Sequence, residues 1–217
     1  MHLEEAVLTV STTGKLLLAG GWAAAALGTA IGLRRLDYQR IPQVAMLSAA
    51  FFVASLVHLP LGFASVHLVL NGLVGLVLGW AAFPAVLVAL GLQALLFGFG
   101  GLTTLGINTV LMALPAVAVF ALCNRPARSG PEPLACGAAF AAGAMGILLG
   151  ALLLAGTLAL AGSALDRLAV VVLLAHLPVA AVEGFVTAGA VLFLRKARPE
   201  VLEAPLVPCL RVETFDA

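Results

Sequence analysis

The sequence predicts an all-α integral membrane protein: a bundle of about seven transmembrane helices, N-terminus outside and C-terminus cytoplasmic. Three observations predict it. Of 217 residues, 63% are hydrophobic and only 10% charged, with mean hydropathy +1.16. A soluble globular domain is about half apolar and about a quarter charged, so this chain has too few charges to cover a water-exposed surface. A soluble enzyme, a disordered chain and a collagen-like chain are excluded. Second, apolar runs recur near the length of about 20 residues that crosses a bilayer. Third, the cations segregate. With the loop from Arg34 to Arg40 placed in the cytoplasm, Arg34, Arg35, Arg40, Arg125, Arg128, Arg195, Lys196, Arg198 and Arg211 all fall inside, and only Lys15 and Arg167 fall outside. The excess of cytoplasmic cations that orients membrane proteins is thereby met with an odd number of spans.

The first span is expected over Leu16 to Leu33, ended by Arg34-Arg35, and the second over Val44 to Leu61, after Pro42. The third, His67 to Gly79, is short and Gly-rich; the fourth runs from Phe83 to Phe97 and the fifth from Leu105 to Leu122. The sixth is Leu134 to Leu160, and the seventh, Leu168 to Leu194, contains Pro178 and Glu183. Residues 1–200 then form one transmembrane domain, and 201–217 a cytoplasmic tail. The start, Met1-His2-Leu3-Glu4-Glu5, is acidic where a cleavable signal is basic, so Met1 is expected to be kept. The run Gly98-Phe99-Gly100-Gly101-Leu102-Thr103-Thr104 is non-helical in character. Irregular backbone at membrane depth needs protein or a water-filled cavity around it, so His67 to Asn71 and Gly98 to Asn108 are expected to line an interior site on the outer side. Small residues at Gly20, Ala24, Gly28 and Gly32, and at Ala138, Ala142, Gly146 and Gly150, form ridges that let helices approach closely. Internal packing is the favoured reading of both; a docking face for another membrane subunit is the alternative.

A net charge of +1 excludes a basic nucleic-acid binder. Cys123, Cys136 and Cys209 lack CxxC spacing; Cys123 and Cys136, in or beside apolar runs, read as small hydrophobes rather than a disulfide or thiolate metal site. Gly14-Lys15 is followed by Leu16, so no phosphate-binding loop is present, and no GxSxG nucleophile elbow occurs. If the chain serves active transport, ATP hydrolysis must come from a partner.

Polar groups inside membrane helices are costly, and each is a candidate for function. The histidines are His2, His58, His67 and His176, all expected toward the outer side. The Met1 amine, the His2 backbone nitrogen and the His2 imidazole can chelate one ion in a plane. A fourth nitrogen in that plane, for which His67 is placed, would suit Ni(II) or Cu(II), with Co(II) also accommodated. On these residues alone, a tail histidine without a role is the simpler reading of His2. His58 reads as an interfacial histidine. His176 and Glu183, seven residues apart on one helix face, read as a brace that orients loops or the N-terminal segment, with an acid–base pair as the alternative.

Three segments resemble the cobalt/nickel-specific substrate-binding (S) components of energy-coupling factor (ECF) transporters, the CbiM/NikM family. They are the Met-His start; Ser65-Val66-His67-Leu68 with Gly72-Leu73-Val74-Gly75, continuing into the run from Gln93 to Asn108 and Met112-Ala113-Leu114-Pro115; and Ala175-His176-Leu177-Pro178 with Glu183-Gly184-Phe185-Val186-Thr187 and Arg198-Pro199-Glu200. The resemblance extends from residue 1 to about 200. It implies a multi-pass protein of a prokaryotic inner (plasma) membrane, with no enzymatic activity of its own, whose N-terminal segment inserts into the bundle. It implies Co(II) or Ni(II) as the transported substrate, no organic cofactor, and a ligand set of the Met1 amine, His2 and His67. Asn71, Asn108, His176 and Glu183 become candidates for orienting those ligands. The implied partners are a transmembrane coupling (T) subunit, two ABC ATPase subunits and a small accessory membrane subunit. The sequence departs from the family at Ala6, where a Gly is usual, and at Val69-Leu70-Asn71, which stand before Gly72. Rival readings are an S component for another substrate and an intramembrane metallohydrolase using His176 and Glu183.

Overall fold

The computed structural model describes residues 8, 9, 11–56, 58–61, 64–161 and 166–202; for 58–61, 64–67 and 166–169 the description is of the backbone alone. The described residues are almost wholly helical. Seven α-helices stand among them: α1 (Thr12–Arg34), α2 (Ile41–Leu56), α3 (Asn71–Leu78), α4 (Ala82–Phe97), α5 (Leu105–Ser129), α6 (Glu132–Ala161) and α7 (Asp166–Ala197). Between α2 and α3 lies a small antiparallel hairpin, β1 (His58–Leu61) and β2 (Ala64–His67).

The hairpin corrects the two boundaries read from the apolar runs. The second span was expected to continue to Leu61, but α2 ends at Leu56; the third was expected from His67, but α3 begins at Asn71. Hydropathy alone cannot separate a helix end from a short apolar strand. Among the described residues, Thr12–Arg34, Leu105–Ser129, Glu132–Ala161 and Val170–Ala197 are each long and apolar enough to cross a bilayer, whereas the equally apolar stretch Asn71–Phe97 is divided into α3 and α4. At 1.5 Å per residue, α2 reaches about 24 Å, short of the full hydrocarbon thickness.

The close approaches between helices give their directions. Gly28 packs on the Phe83 ring and Gly32 on the Trp80 carbonyl, so α4 runs opposite to α1. The Ser48 hydroxyl donates to the Ala85 carbonyl at 2.8 Å, and Gln93 Nε2 donates to Ser55 Oγ at 2.6 Å, so α2 and α4 run the same way. Gly75 lies on Ala116, and Asn124 Nδ2 donates to the Leu76 carbonyl at 2.7 Å, so α3 runs with α5. Gly79 meets the Phe120 ring and Gly91 approaches Leu105, so α4 runs against α5. The chain therefore reverses between α3 and α4. It does so at Gly79, with φ 55° and ψ −123°, a backbone conformation that a side chain resists.

The buried seam of α1 is Gly14, Gly21, Ala25, Gly28 and Gly32. Gly20 and Ala24 are exposed, so only half of the first expected ridge packs inward. On α6, Ala142, Gly146 and Gly150 are buried and Ala138 is half-buried, and this ridge packs inside the bundle. Large apolar side chains, among them Leu95, Leu122, Leu160, Phe185 and Phe193, stand exposed on the outside of the helices, as a protein whose solvent is lipid permits. The Gly98–Thr104 connection is irregular, with Gly98, Gly100 and Gly101 all at positive φ. It was expected to line an interior site. Instead Gly98, Leu102 and Thr103 are exposed, and only Thr104 and the helical residues after Leu105 turn into the core. The reason is local: the Thr104 hydroxyl donates back to the Gly100 carbonyl at 2.5 Å, closing the loop on itself at the end of the bundle.

Candidate metal centre

The hairpin delivers His67 to the bundle. His67 is the last residue of β2, which packs against α7 and α2. Three residues later the chain is pinned. The Glu183 carboxylate, fully buried on α7, accepts the backbone N–H groups of Val69 and Leu70; its Oε1 lies 2.9 Å and its Oε2 3.1 Å from the Leu70 nitrogen. Leu70 has φ 55°, and α3 starts at the next residue without a side-chain cap. Glu183 supplies from another helix the acceptor that the start of α3 lacks.

Small residues make that approach possible. A Cβ on Gly72 would stand 2.5 Å from Gly143 Cα. A Cβ on Gly143 would collide with the Glu183 carbonyl, and one on Gly146 would stand 3.0 Å from the Gly72 nitrogen. α3, α6 and α7 thus meet backbone to backbone around Asn71. The Asn71 side chain is fully buried, and neither its Oδ1 nor its Nδ2 has a hydrogen-bond partner among the described residues. A buried amide in that condition calls for a partner.

The other candidates fall as follows. Asn108 is buried in the first turn of α5, where its Nδ2 donates to Thr104 Oγ1 at 3.3 Å. His176 is buried on α7 with its Nδ1 at 2.6 Å from the Val172 carbonyl one turn back. Two helical turns, about 10.5 Å, separate it from Glu183, and the two engage different backbone groups. Met1 and His2 lie outside the described residues, as does the His67 side chain, whose backbone alone is placed. Among the described residues there is no cluster of three or more His, Cys, Asp or Glu able to hold an ion. Leu8 is fully buried, its carbonyl resting against Gly14.

Two relationships were not read from the sequence. The Gln93–Ser55 bond fixes the end of α2 where the hairpin begins. The hairpin itself sets His58 opposite His67. The two residues Gly62-Phe63, opening on a Gly between two four-residue segments, were the available signal for it.

Comparison with known proteins places this fold. The profile of the CbiM family, described as the cobalt uptake substrate-specific transmembrane region, matches residues 2–201. A Haemophilus influenzae protein whose name is that of a metal transport protein is 42% identical over 93% of this chain and 97% of its own length. The cobalt transport protein CbiM of Sorangium cellulosum is 31% identical over 94% of this chain and 95% of its own. The fused nickel transport protein NikMN of Rhodobacter capsulatus is 35% identical over 82% of this chain and 59% of its own. In shape, a crystal structure of a transition metal transporter superposes with TM-score 0.69 at 24% identity, covering 90% of this chain and 93% of that one. A truncated transition metal transporter does so with TM-score 0.68 at 24% identity. The chain belongs to the CbiM family of cobalt and nickel transport membrane components.

Proposed function

We propose that this chain is the substrate-binding subunit of an ECF-type importer and captures Co(II) or Ni(II) from the outside. The ligands are the Met1 amine, the His2 backbone nitrogen and imidazole, and the His67 imidazole, a planar four-nitrogen set that suits these ions. Residues 1–200 are one metal-binding domain with the N-terminus outside, and 201–217 a cytoplasmic tail. ATP hydrolysis comes from two ABC ATPases, coupled through a T subunit and joined by a small accessory membrane subunit.

The observation that carries this reading is the anchoring of the chain just after His67. Two amides on one buried carboxylate leave the end of β2 little freedom, which is what a ligating residue requires. Burial of Leu8, six residues after His2, supports it from the other side. The unpartnered Asn71 amide, four residues beyond His67, is the group best placed to orient a ligand. Glu183 acts in this reading as a brace, because its carboxylate is already engaged by backbone amides.

The test is a one-residue N-terminal extension of the purified full-length protein. Metal content by mass spectrometry and Ni/Co competition under anaerobic conditions are expected to show binding by the native start and none by the extended one. Equal Ni(II) affinity in the two would overturn the proposal. His67→Ala is expected to abolish binding as well.

A further inference from the structure

At the end of the bundle opposite the hairpin, the cations of the α1–α2 link, the α5–α6 turn and the end of α7 collect. Arg195 Nη2 donates to the Gly130 carbonyl at 2.7 Å, and Arg40 Nη2 to the Val201 carbonyl at 3.4 Å. A cavity of about 320 Å³ opens at this end, where the α1–α2 link faces the reversal between α3 and α4 and one side of α5. Arg35, Asp37 and Arg40 line one side of it, and Trp80, Val117 and Phe120 the other. The Arg35 guanidinium lies over the Trp80 ring, its Cζ 5.2 Å from the ring centroid. A guanidinium stacked by its face keeps the N–H donors along its edge. Arg40 is held by Gln43, whose Oε1 accepts from its Nε at 3.0 Å. Among the described residues, neither guanidinium has a carboxylate within ion-pair distance. Asp37 instead accepts the Gln39 N–H at 3.1 Å. The cavity therefore carries more positive charge than its own lining balances.

We propose that this cavity binds the phosphate of an anionic phospholipid headgroup. The inference goes beyond the proposed metal site and does not rest on it. Arginine presents paired donors that match a phosphate, and basic pockets between membrane helices hold anionic headgroups on the cytoplasmic side. This is the end that the distribution of cations assigns to the cytoplasm. Arg35 bonds the phosphate from its stacked position, and Arg40 supplies the second charge. Leu33, Tyr38 and Ile41 stand exposed around the α1–α2 link. Apolar and aromatic side chains beside arginines suit the headgroup level of a bilayer, which favours a lipid over a free anion. A lipid bound there ties the α1–α2 link to the α3–α4 reversal and to α5.

The experiment uses the full chain in detergent, with lipid binding read by native mass spectrometry and thermal midpoints read in parallel. The probes are phosphatidylglycerol, phosphatidylcholine and inorganic phosphate. Phosphatidylglycerol is expected to bind native protein and raise its midpoint, and to bind Arg35→Gln at least about tenfold more weakly, as loss of a charge-assisted hydrogen bond predicts. Phosphatidylcholine, whose headgroup charge is balanced, is expected to bind native protein more weakly than phosphatidylglycerol. Arg125→Gln removes an exposed cation at the same end but outside the cavity, and is expected to bind phosphatidylglycerol as native protein does. Arg35→Lys keeps the charge without the paired donors and is expected to fall between; it carries the comparison if Arg35→Gln lowers the lipid-free midpoint. Native phosphatidylglycerol affinity in both Arg35 variants would overturn the inference. An equal loss in Arg125→Gln would overturn it too, by reducing the effect to the general attraction of a basic surface. Phosphatidylcholine bound as tightly as phosphatidylglycerol would refute an anionic headgroup, and inorganic phosphate bound as tightly would refute a lipid in favour of a free anion.

Discussion

Glu183 on α7 accepts the backbone N–H of Leu70, 113 residues earlier in the chain, at 2.9 Å. The same carboxylate takes the Val69 N–H, so one buried side chain holds the whole link between β2 and α3.

Glu183→Ala is therefore expected to leave two amides unsatisfied. A buried donor left without its partner costs about 1–3 kcal/mol. Glu183→Gln keeps one acceptor oxygen and is expected to fall between Ala and native. Thermal unfolding in detergent without metal checks the order, and Ni(II) affinity is expected to follow it. A Glu183→Ala protein with native stability and native affinity would refute the brace.

Gly14 sits against the Leu8 carbonyl, in a space that a Cβ would fill. Gly14→Ala is expected to displace Leu8 from α1 and weaken metal binding, while the thermal midpoint of the bundle stays close to native. Equilibrium Ni(II) binding alongside thermal unfolding separates the two effects. Unchanged affinity would show that the path of the segment at Leu8 does not govern the ligands.

The reversal at Gly79 combines positive φ with the Phe120 ring 3.2 Å from where a Cβ would lie. Gly79→Ala is expected to cost about 1–3 kcal/mol from backbone strain alone. Gly137→Ala on α6 is the control: no atom lies within 4 Å of its Cβ position, and replacing a helical Gly by Ala gains about 0.5–1 kcal/mol. Thermal midpoints of the two variants should move in opposite directions.

Protons compete with the metal for every proposed ligand. An unperturbed terminal amine titrates near ~7.7–8.0 and histidine near ~6.5. Above both values the amine and the imidazoles are free for metal, and only the His2 backbone nitrogen still gives up a proton as the ion binds; as pH falls through each value, the ion must displace another proton. Affinity is thus expected to be greatest on the alkaline side and to drop in two stages toward pH ~6. Competition titrations across that range check it, and a pH-independent affinity would rule out amine and imidazole donors.

The long helices were legible because lipid imposes a simple demand: runs of apolar residues with cations at their ends. α5, α6 and α7 follow from that alone. The hairpin did not, because the two leucines of His58–Leu61 extend the apolar run of the helix before it and strand pairing depends on Ala64–His67 coming back beside it. Glu183 stood out as an ionisable group in an apolar helix, and a brace was the favoured reading of it. Its partners were hidden, since they are backbone amides on a segment far away in sequence. Gly28 and Gly32 were read as packing residues. Gly21 and Ala25, which complete the buried seam of α1, fall seven residues before Gly28 and Gly32 respectively, on a face that Gly20 and Ala24 do not share.

The short helix α3 begins four residues after His67, and its peptide dipoles sum to roughly half a positive charge at that end. A divalent ion arriving at His67 would meet that field as a repulsion. The Glu183 carboxylate lies against the same helix start and carries the opposite sign. When ionised, that carboxylate offsets the nearest positive pole of the bundle, and in the proposed site it would ease the approach of a cation that it never touches.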